Sequence, residues 1–507
     1  MRQLVIRGAG ATVFSQAVAL GIQVIATVVL ARLLTPRDFG VVTMVTTFSL
    51  LLMNFGLNGF TEAVLQRAEV DEALVSNLFW INVGIGILLT IGFTAAGSLL
   101  ARFFGNPLVA HAAAGISLTI VVTSASVQHL ALLKRAMRFS AVSANDVVSR
   151  AVYVVVSTCF ARAGWGYRAL VAGIVAQALA LTIGAWSLCR WIPRLPRRAA
   201  GTGALTRFAM NVYGRFSVNY FARNMDNLLV GWRFNAQALG FYKKAYDLFA
   251  LSASQLAAPL VAVAVSALSR LYGHPLRYRR YLLRGLAVMA FVGMGLSGEL
   301  TLVGKDVTRL LLGPGWGTTG RIFTFFGPGI GIMLVYGVHS WIHLSIGRAD
   351  RWFRWGMVEF GVTGVLFLLG LRWGPEGIAV AWTVSFWILT VPAFWYAGRP
   401  IQLGVAPVFA AVWRYILASG LAAGAPLALV RCLPSLPEGG TAASAAARIA
   451  VFSVLFGILY LGAVILLHRG SQPIREILGL LAELGPGRRP LGPEPAVAGT
   501  GAGMSPE

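Results

Sequence analysis

Apolar residues in this chain fill whole windows of about 20 residues, the length a helix needs to cross a hydrocarbon core of roughly 30 Å. Stretches free of Asp, Glu, Lys and Arg include 8–31, 39–61, 73–101, 169–189, 248–269 and 377–398. Allowing one or two ionisable residues per window predicts spans near 10–31, 40–60, 76–99, 112–132, 142–161, 168–189, 207–232, 247–268, 284–303, 321–345, 354–371, 376–396, 408–430 and 448–468. That is about fourteen helices; the least regular windows are 142–161, 284–303 and 354–371. The alternating segments of about ten residues that mark a membrane β-barrel are absent. The pattern therefore predicts an all-α polytopic membrane protein. The first window is too long for a signal-peptide core and lacks a small-residue cleavage site after it, so it reads as a retained helix.

Composition agrees: of 507 residues, 57% are hydrophobic and only 12% charged, with a mean hydropathy of +0.73. Cys159, Cys189 and Cys432 fall in or at the ends of windows without metal-like or paired spacing, and read as packing residues. The net charge of +24 raises the question of nucleic acid. Its distribution answers otherwise. Basic clusters such as Lys134/Arg135/Arg138, the run from Arg190 to Arg207 and the run from Arg270 to Arg284 lie on the side that an even number of spans assigns to both termini. This positive-inside bias predicts cytoplasmic termini and attraction to anionic membrane lipids, with no nucleic-acid partner. The clusters also lack the interleaved aromatic platforms that single strands stack on.

An internal repeat organises the chain. "LARLLTPRDFG" (Leu30–Gly40) and "VGWRFNAQALG" (Val230–Gly240) both close an apolar helix with a small residue, pass an Arg and a polar turn, and reach Gly, 200 positions apart. An even number of spans separates them, so the repeat is parallel. The predicted organisation is a six-helix lobe (1–189), a cytoplasmic linker rich in Pro, Arg and Gly (190–206), a second six-helix lobe (207–400), two extra helices (401–470) and a largely disordered cytoplasmic tail (471–507). No loop is long enough for an extramembrane catalytic domain, which argues against an enzyme.

Ionisable residues inside a span cost roughly 2.5–3.5 kcal/mol on insertion scales and mark functional candidates. In the seventh span Arg215, Asn219, Arg223 and Asp226 fall within an arc of about 80°, a polar stripe that must face protein or a watery cavity. Arg223 and Asp226 are spaced to pair, leaving Arg215 for an anion. Gln16 and Gln23 share a face of the first span, and Asp146 and Arg150 form an i,i+4 pair in the fifth. Asn54 and Asn227 are supporting polar residues. A purely structural reading, helices glued by interhelical pairing, stands beside the cavity reading. His339 and His343 lie one turn apart but without an acidic neighbour or HExxH context, so no metal or catalytic residue is predicted.

Several segments resemble one family. "LARLLTPRDFGVV" is similar to its turn between the first two helices, "NFGLNGFTEAVLQR" (Asn54–Arg67) to a segment of the form DxGLxxALIQR, and "RNMDNLLVG" with "ALGFYKKAYDL" (Arg223–Leu248) to its seventh-helix signature; "SALSRL" and "GRADRWFRWG" (Gly347–Gly356) fit further on. The chain thus resembles the polysaccharide flippases of the multidrug/oligosaccharidyl-lipid/polysaccharide exporter superfamily from about residue 8 to 400. Asn54 stands where the family more often has Asp, and Ser266 where Pro is usual. The first departure removes a titrating carboxylate; the second predicts a straighter eighth helix.

The resemblance implies a V-shaped twelve-helix core with two added helices in the bacterial inner membrane. It also implies transfer of a lipid-linked oligosaccharide between leaflets by alternating access, for lipopolysaccharide, exopolysaccharide or capsule biosynthesis. On that basis Arg215, Asn219, Arg223, Asp226, Gln16 and Gln23 line the cavity, with the pyrophosphate of a polyprenyl carrier on Arg215 and Arg223, and Asp226 competing for Arg223 when the site is empty. No cofactor is expected, coupling to a proton or sodium gradient is left open, and a glycan polymerase and glycosyltransferases are open as partners. The alternatives are a drug or cation antiporter of the same superfamily and, further off, a membrane glycan polymerase or ligase.

Overall fold

The computed structural model describes residues 2–65, 71–196, 216–217, 220–221, 223–432 and 441–475. Among these the secondary structure is helical, with no strand. In chain order the helices are α1 (Arg2–Leu33), α2 (Pro36–Leu65), α3 (Glu72–Phe103), α4 (Leu108–Ser124), α5 (Val127–Arg135), α6 (Phe139–Arg162), α7 (Tyr167–Cys189), α8 (described over 223–233), α9 (Ala236–Leu271), α10 (Pro275–Leu312), α11 (Gly317–Ser345), α12 (Ala349–Gly370), α13 (Gly374–Gly398), α14 (Val405–Cys432) and α15 (Ala442–His468). Ten stretches of the described residues are long and apolar enough to cross a bilayer, one of them holding both α12 and α13. The protein is an all-α polytopic membrane protein.

Helices lie under the predicted windows, the seventh being described only in part, and the least regular ones are sound: α6, α10 and α12 are continuous. Two differences carry a physical reason. The window 112–132 is broken into α4 and α5 at "TSAS", where Ser124 and Ser126 hydroxyls donate back to the carbonyls of Ile120 (2.8 Å) and Thr123 (2.7 Å). The carbonyls freed at the break are taken by Asn82 Nδ2 (2.8 Å to Ser124) and the Trp186 indole (2.9 Å to Ala125). Secondly, α9 starts at Ala236, well before the predicted 247, with Asn235 as its N-cap accepting from the Ala238 amide at 2.8 Å.

The repeat appears as a matching scheme of neighbours. In the first half α3 packs on α4, α6 on α7, α4 on α7 and α2 on α4; in the second α10 packs on α11, α12 on α13, α11 on α13 and α9 on α11. Helices α14 and α15 pack on each other and on α10, where Ser419 and Tyr460 hydroxyls donate to the carbonyls of Met294 (2.7 Å) and Phe291 (2.6 Å). Two carboxylates of α10 are satisfied by α15: Glu299 accepts from Ser453, and Asp306 pairs with Arg448 at 3.2 Å.

The halves meet chiefly along α2 and α9, at the two turns the sequence repeat singled out. A Cβ on Gly40 would lie 1.6 Å from the Ala236 carbonyl oxygen, and one on Gly240 would lie 1.8 Å from that of Pro36. Each repeat glycine thus receives the first residue of the other half's helix, backbone against backbone, and only glycine permits it. The rest of the seam is reciprocal too. The Trp316 indole donates to the Ala31 carbonyl at 2.8 Å, while Phe104 abuts Gly231, the equivalent of Ala31. Arg32 donates to the Leu310 carbonyl at 2.9 Å and Phe103 stacks on Trp232. These groups close the cleft between the lobes at the end remote from the N-terminus.

Candidate functional site

Directly under this seam lies a cavity of about 250 Å³ lined by Gln23, Thr27 and Leu30 of α1, Phe39 of α2, Arg150 and Tyr153 of α6, Gln177 of α7, and Lys244 and Asp247 of α9. It is therefore shared between the lobes. Its charges are unequally compensated. Arg150 Nε pairs with Asp146 Oδ2 at 2.8 Å and Lys243 Nζ with Asp247 Oδ1 at 2.5 Å, each an i,i+4 pair on one helix. Lys244 has no carboxylate partner among the described residues; its ammonium sits over the Phe39 ring, 4.1 Å from the centroid. The ring attracts the ammonium electrostatically and occupies none of its three N–H donors as a conventional acceptor would. Lys244, the outer donors of Arg150 and the amides of Gln23 and Gln177 together suit a ligand with an anionic group and hydroxyls.

The predicted site residues divide. Gln23 and Arg150 line this cavity, and Arg150 pairs with Asp146 at the i,i+4 spacing. Gln16 is exposed two turns further along α1, and Asn54 Nδ2 donates to the Leu50 carbonyl on its own helix at 2.7 Å. Arg215 and Asn219 lie outside the described residues. Arg223 is exposed, but the expected Arg223–Asp226 pair is not formed. Asp226 is fully buried and its Oδ2 accepts from the Tyr242 hydroxyl (2.8 Å) and the Trp382 indole (3.1 Å). The reason is local: three positions along α8 leave Asp226 about 60° around the helix from Arg223, so Asp226 turns onto Tyr242 and Trp382 while Arg223 stays on the exposed side. Asp226 is thus no competitor for Arg223 and lines no open cavity in this conformation; Asn227, 2% exposed, is buried beside it.

Lys243, Lys244, Asp247, Tyr153 and Gln177 were missed. The signal was present in "YKKAYDL", where Lys243 and Asp247 have the spacing of a helical ion pair. Starting the eighth span at 247 left Lys243 and Lys244 in a loop and cut them off from Asp247. A second polar group lies inside the second lobe: Glu359 accepts from the Tyr336 hydroxyl at 2.9 Å, which in turn accepts from the Trp355 indole at 2.8 Å.

Comparison with known proteins places this architecture. Residues 29–319 match the family described as "Polysaccharide biosynthesis protein". The chain is 25% identical over 241 residues to the succinoglycan biosynthesis transport protein ExoT of Rhizobium meliloti, a match covering 48% of this chain and 49% of that one. It is 22% identical over 322 residues to the lipopolysaccharide biosynthesis protein WzxC of Escherichia coli (62% and 65% covered), and 23% identical over 382 residues to the teichuronic acid biosynthesis protein TuaB of Bacillus subtilis (73% and 77%). The first of these matches spans about half of its relative and the second under two thirds. Among solved structures the fold is similar to the lipid II flippase MurJ in an inward closed conformation, with a TM-score of 0.72 at 14% identity over 92% of this chain and 99% of that one. It is also similar to an inward-facing multidrug resistance MATE transporter, with a TM-score of 0.61 at 12% identity over 77% and 98%. With the family match extending from the end of α1 into α11, and so across both turns of the repeat and the cavity between them, the chain belongs to the polysaccharide biosynthesis protein family.

Proposed function

We propose that this protein moves a polyprenyl-pyrophosphate-linked oligosaccharide across the bacterial inner membrane by alternating access, breaking no bond. The observation that carries the reading is the interlobe cavity in which Lys244, in no ion pair among the described residues, lies beside Arg150, roofed by a seam in which each lobe supplies a glycine for the other's backbone. The names of the relatives, each tied to the biosynthesis or transport of a surface glycan, favour the same cargo. The pyrophosphate sits on Lys244 and Arg150, with Arg223 on the open side of the second lobe; Gln23 and Gln177 meet sugar hydroxyls, and the isoprenoid remains in lipid. Both termini are cytoplasmic by the positive-inside bias, so the seam closes the outer side and this conformation accepts cargo from the cytoplasm.

A transporter needs no nucleophile or general acid at the cavity, and the polar groups there serve binding. The account is tested with purified protein in vesicles and a fluorescent lipid-linked oligosaccharide. Label that reaches the opposite leaflet with its pyrophosphate linkage intact is the expected result. Cleaved or polymerised product would instead indicate an enzyme, and absence of transfer beyond protein-free vesicles would end the flippase reading.

A further inference from the structure

A second charged feature lies away from the cavity, at the corner between α9 and α10. Helix α10 has 38 residues, about 57 Å at 1.5 Å per residue, nearly twice what the hydrocarbon core requires. Its apolar part begins after Arg284, so its first ten residues stand at headgroup depth. Within them Arg277, Arg280 and Arg284 recur at i, i+3 and i+7 on one exposed face, while Tyr278, Leu282 and Leu286 on the opposite face are buried in the lobe.

Three further observations bear on what this face binds. No Asp or Glu occurs between Leu248 and Gly298, and the three arginines form no ion pair among the described residues. Asp350 at the start of α12 is engaged by Arg348 at 3.1 Å. The N-terminus of α10, with His274 as N-cap and Pro275 next, receives no side-chain cap, so its free amides and dipole add positive potential to the same place. Close by in the chain, the last turns of α9 carry a shallow, open depression lined by Val263, Ser266, Ala267, Arg270 and Leu271. A mainly apolar strip that includes a guanidinium, followed by an arginine face at headgroup depth, matches an acyl chain joined to an anionic phosphate.

We infer that the α9–α10 corner is a binding site for an anionic phospholipid, its headgroup on Arg277, Arg280 and Arg284 and an acyl chain along α9. This stands independently of the cargo assignment. The test is binding of phosphatidylglycerol to the purified full chain in phosphatidylcholine nanodiscs. The unmodified protein is expected to take up phosphatidylglycerol in preference to phosphatidylcholine, with an affinity that falls as salt rises. The R277Q/R280Q/R284Q variant, whose folding is checked by its thermal unfolding in phosphatidylcholine, is expected to bind on the order of tenfold or more weakly. R372Q, at an exposed arginine of the α12–α13 turn, is expected to bind as the unmodified protein does. Equal uptake of the two lipids, salt-independent binding, an unchanged affinity in the triple variant, or glycerol phosphate binding as tightly as the lipid would each overturn the proposal. Should the triple variant fail to fold, R280Q alone, combined with the salt titration, decides the matter.

Discussion

The two lobes share a plan and differ in what they do with polar side chains. In the first lobe the membrane-embedded polar residues Gln23, Arg150 and Gln177 open onto the interlobe cavity. In the second, Asp226 and Asn227 are closed over; Asp226 Oδ2 accepts from Tyr242 and Trp382, and Glu359 accepts from Tyr336. Among the described residues that line the cavity, Lys244 and Asp247 of α9 are those of the second lobe. One structural repeat thus carries two arrangements: a cavity wall, which we propose meets cargo, and a polar group packed inside its own lobe. A polar residue in a membrane helix is informative only once its partners are known.

The sharpest way to break the comparison is at the seam that makes the lobes equivalent. Gly40→Val or Gly240→Val places a side chain where a carbonyl now lies within 2 Å, so the seam cannot close. We expect transport to fall by more than about tenfold, with increased labelling of a cysteine introduced at Thr27 by an impermeant reagent from the outer side. Gly21→Ala, with nothing within 4 Å of the new methyl, is expected to change neither. Equal tolerance at positions 40 and 21 would remove the seam from the mechanism.

The next effect separates cargo contact from scaffold. Lys244→Gln keeps most of the side chain's bulk but removes its charge; the concentration for half-maximal transport is expected to rise by roughly 10- to 100-fold, since a hydrogen bond to a charged group contributes about 1.5–3 kcal/mol. Asp226→Ala is expected to act in the opposite manner. It strips the acceptor from the Tyr242 hydroxyl and the Trp382 indole and is expected to cost about 1–3 kcal/mol of stability, seen as a lower unfolding temperature in detergent, with cargo affinity of the folded fraction unchanged. Asp226→Asn, which still offers an oxygen, is expected to cost less. If Asp226→Ala instead weakened cargo binding at full stability, the division between the lobes would fail. The smallest effect belongs to Gln23→Ala, where loss of one neutral hydrogen bond, about 1 kcal/mol, is expected to weaken binding about fivefold.

Much of the fold was legible because a bilayer demands long apolar windows, and those are counted without knowing any partner. The turn repeat was equally legible, and Gly40 and Gly240 prove to be the residues in which the lobes touch. The pair Asp146/Arg150 was readable because its spacing alone settles it. Asp226 was not, because whether it turns to Arg223 or to Tyr242 and Trp382 depends on α9 and α13, and Trp382 lies 156 positions away in the chain. The break between α4 and α5 was hidden for a similar reason: serines tolerate a helix until Asn82 and Trp186 from other helices accept the alternative. Lys244 was lost to a boundary, since a charged opening stretch of a long helix, here its third turn, looks like a loop to any count of apolar residues.

The central claim is that the pyrophosphate of the cargo is held by Lys244 and Arg150 under the seam. It is tested most directly by measuring vesicle transport of two labelled carriers, one ending in pyrophosphate-linked sugar and one in a neutral sugar lipid, with the unmodified protein and with K244Q/R150Q. The account predicts transport of the pyrophosphate carrier alone, reduced to a tenth or less in the double variant although the protein is inserted and folded. Undiminished transport by that variant, or equal transport of the neutral lipid by the unmodified protein, would contradict it.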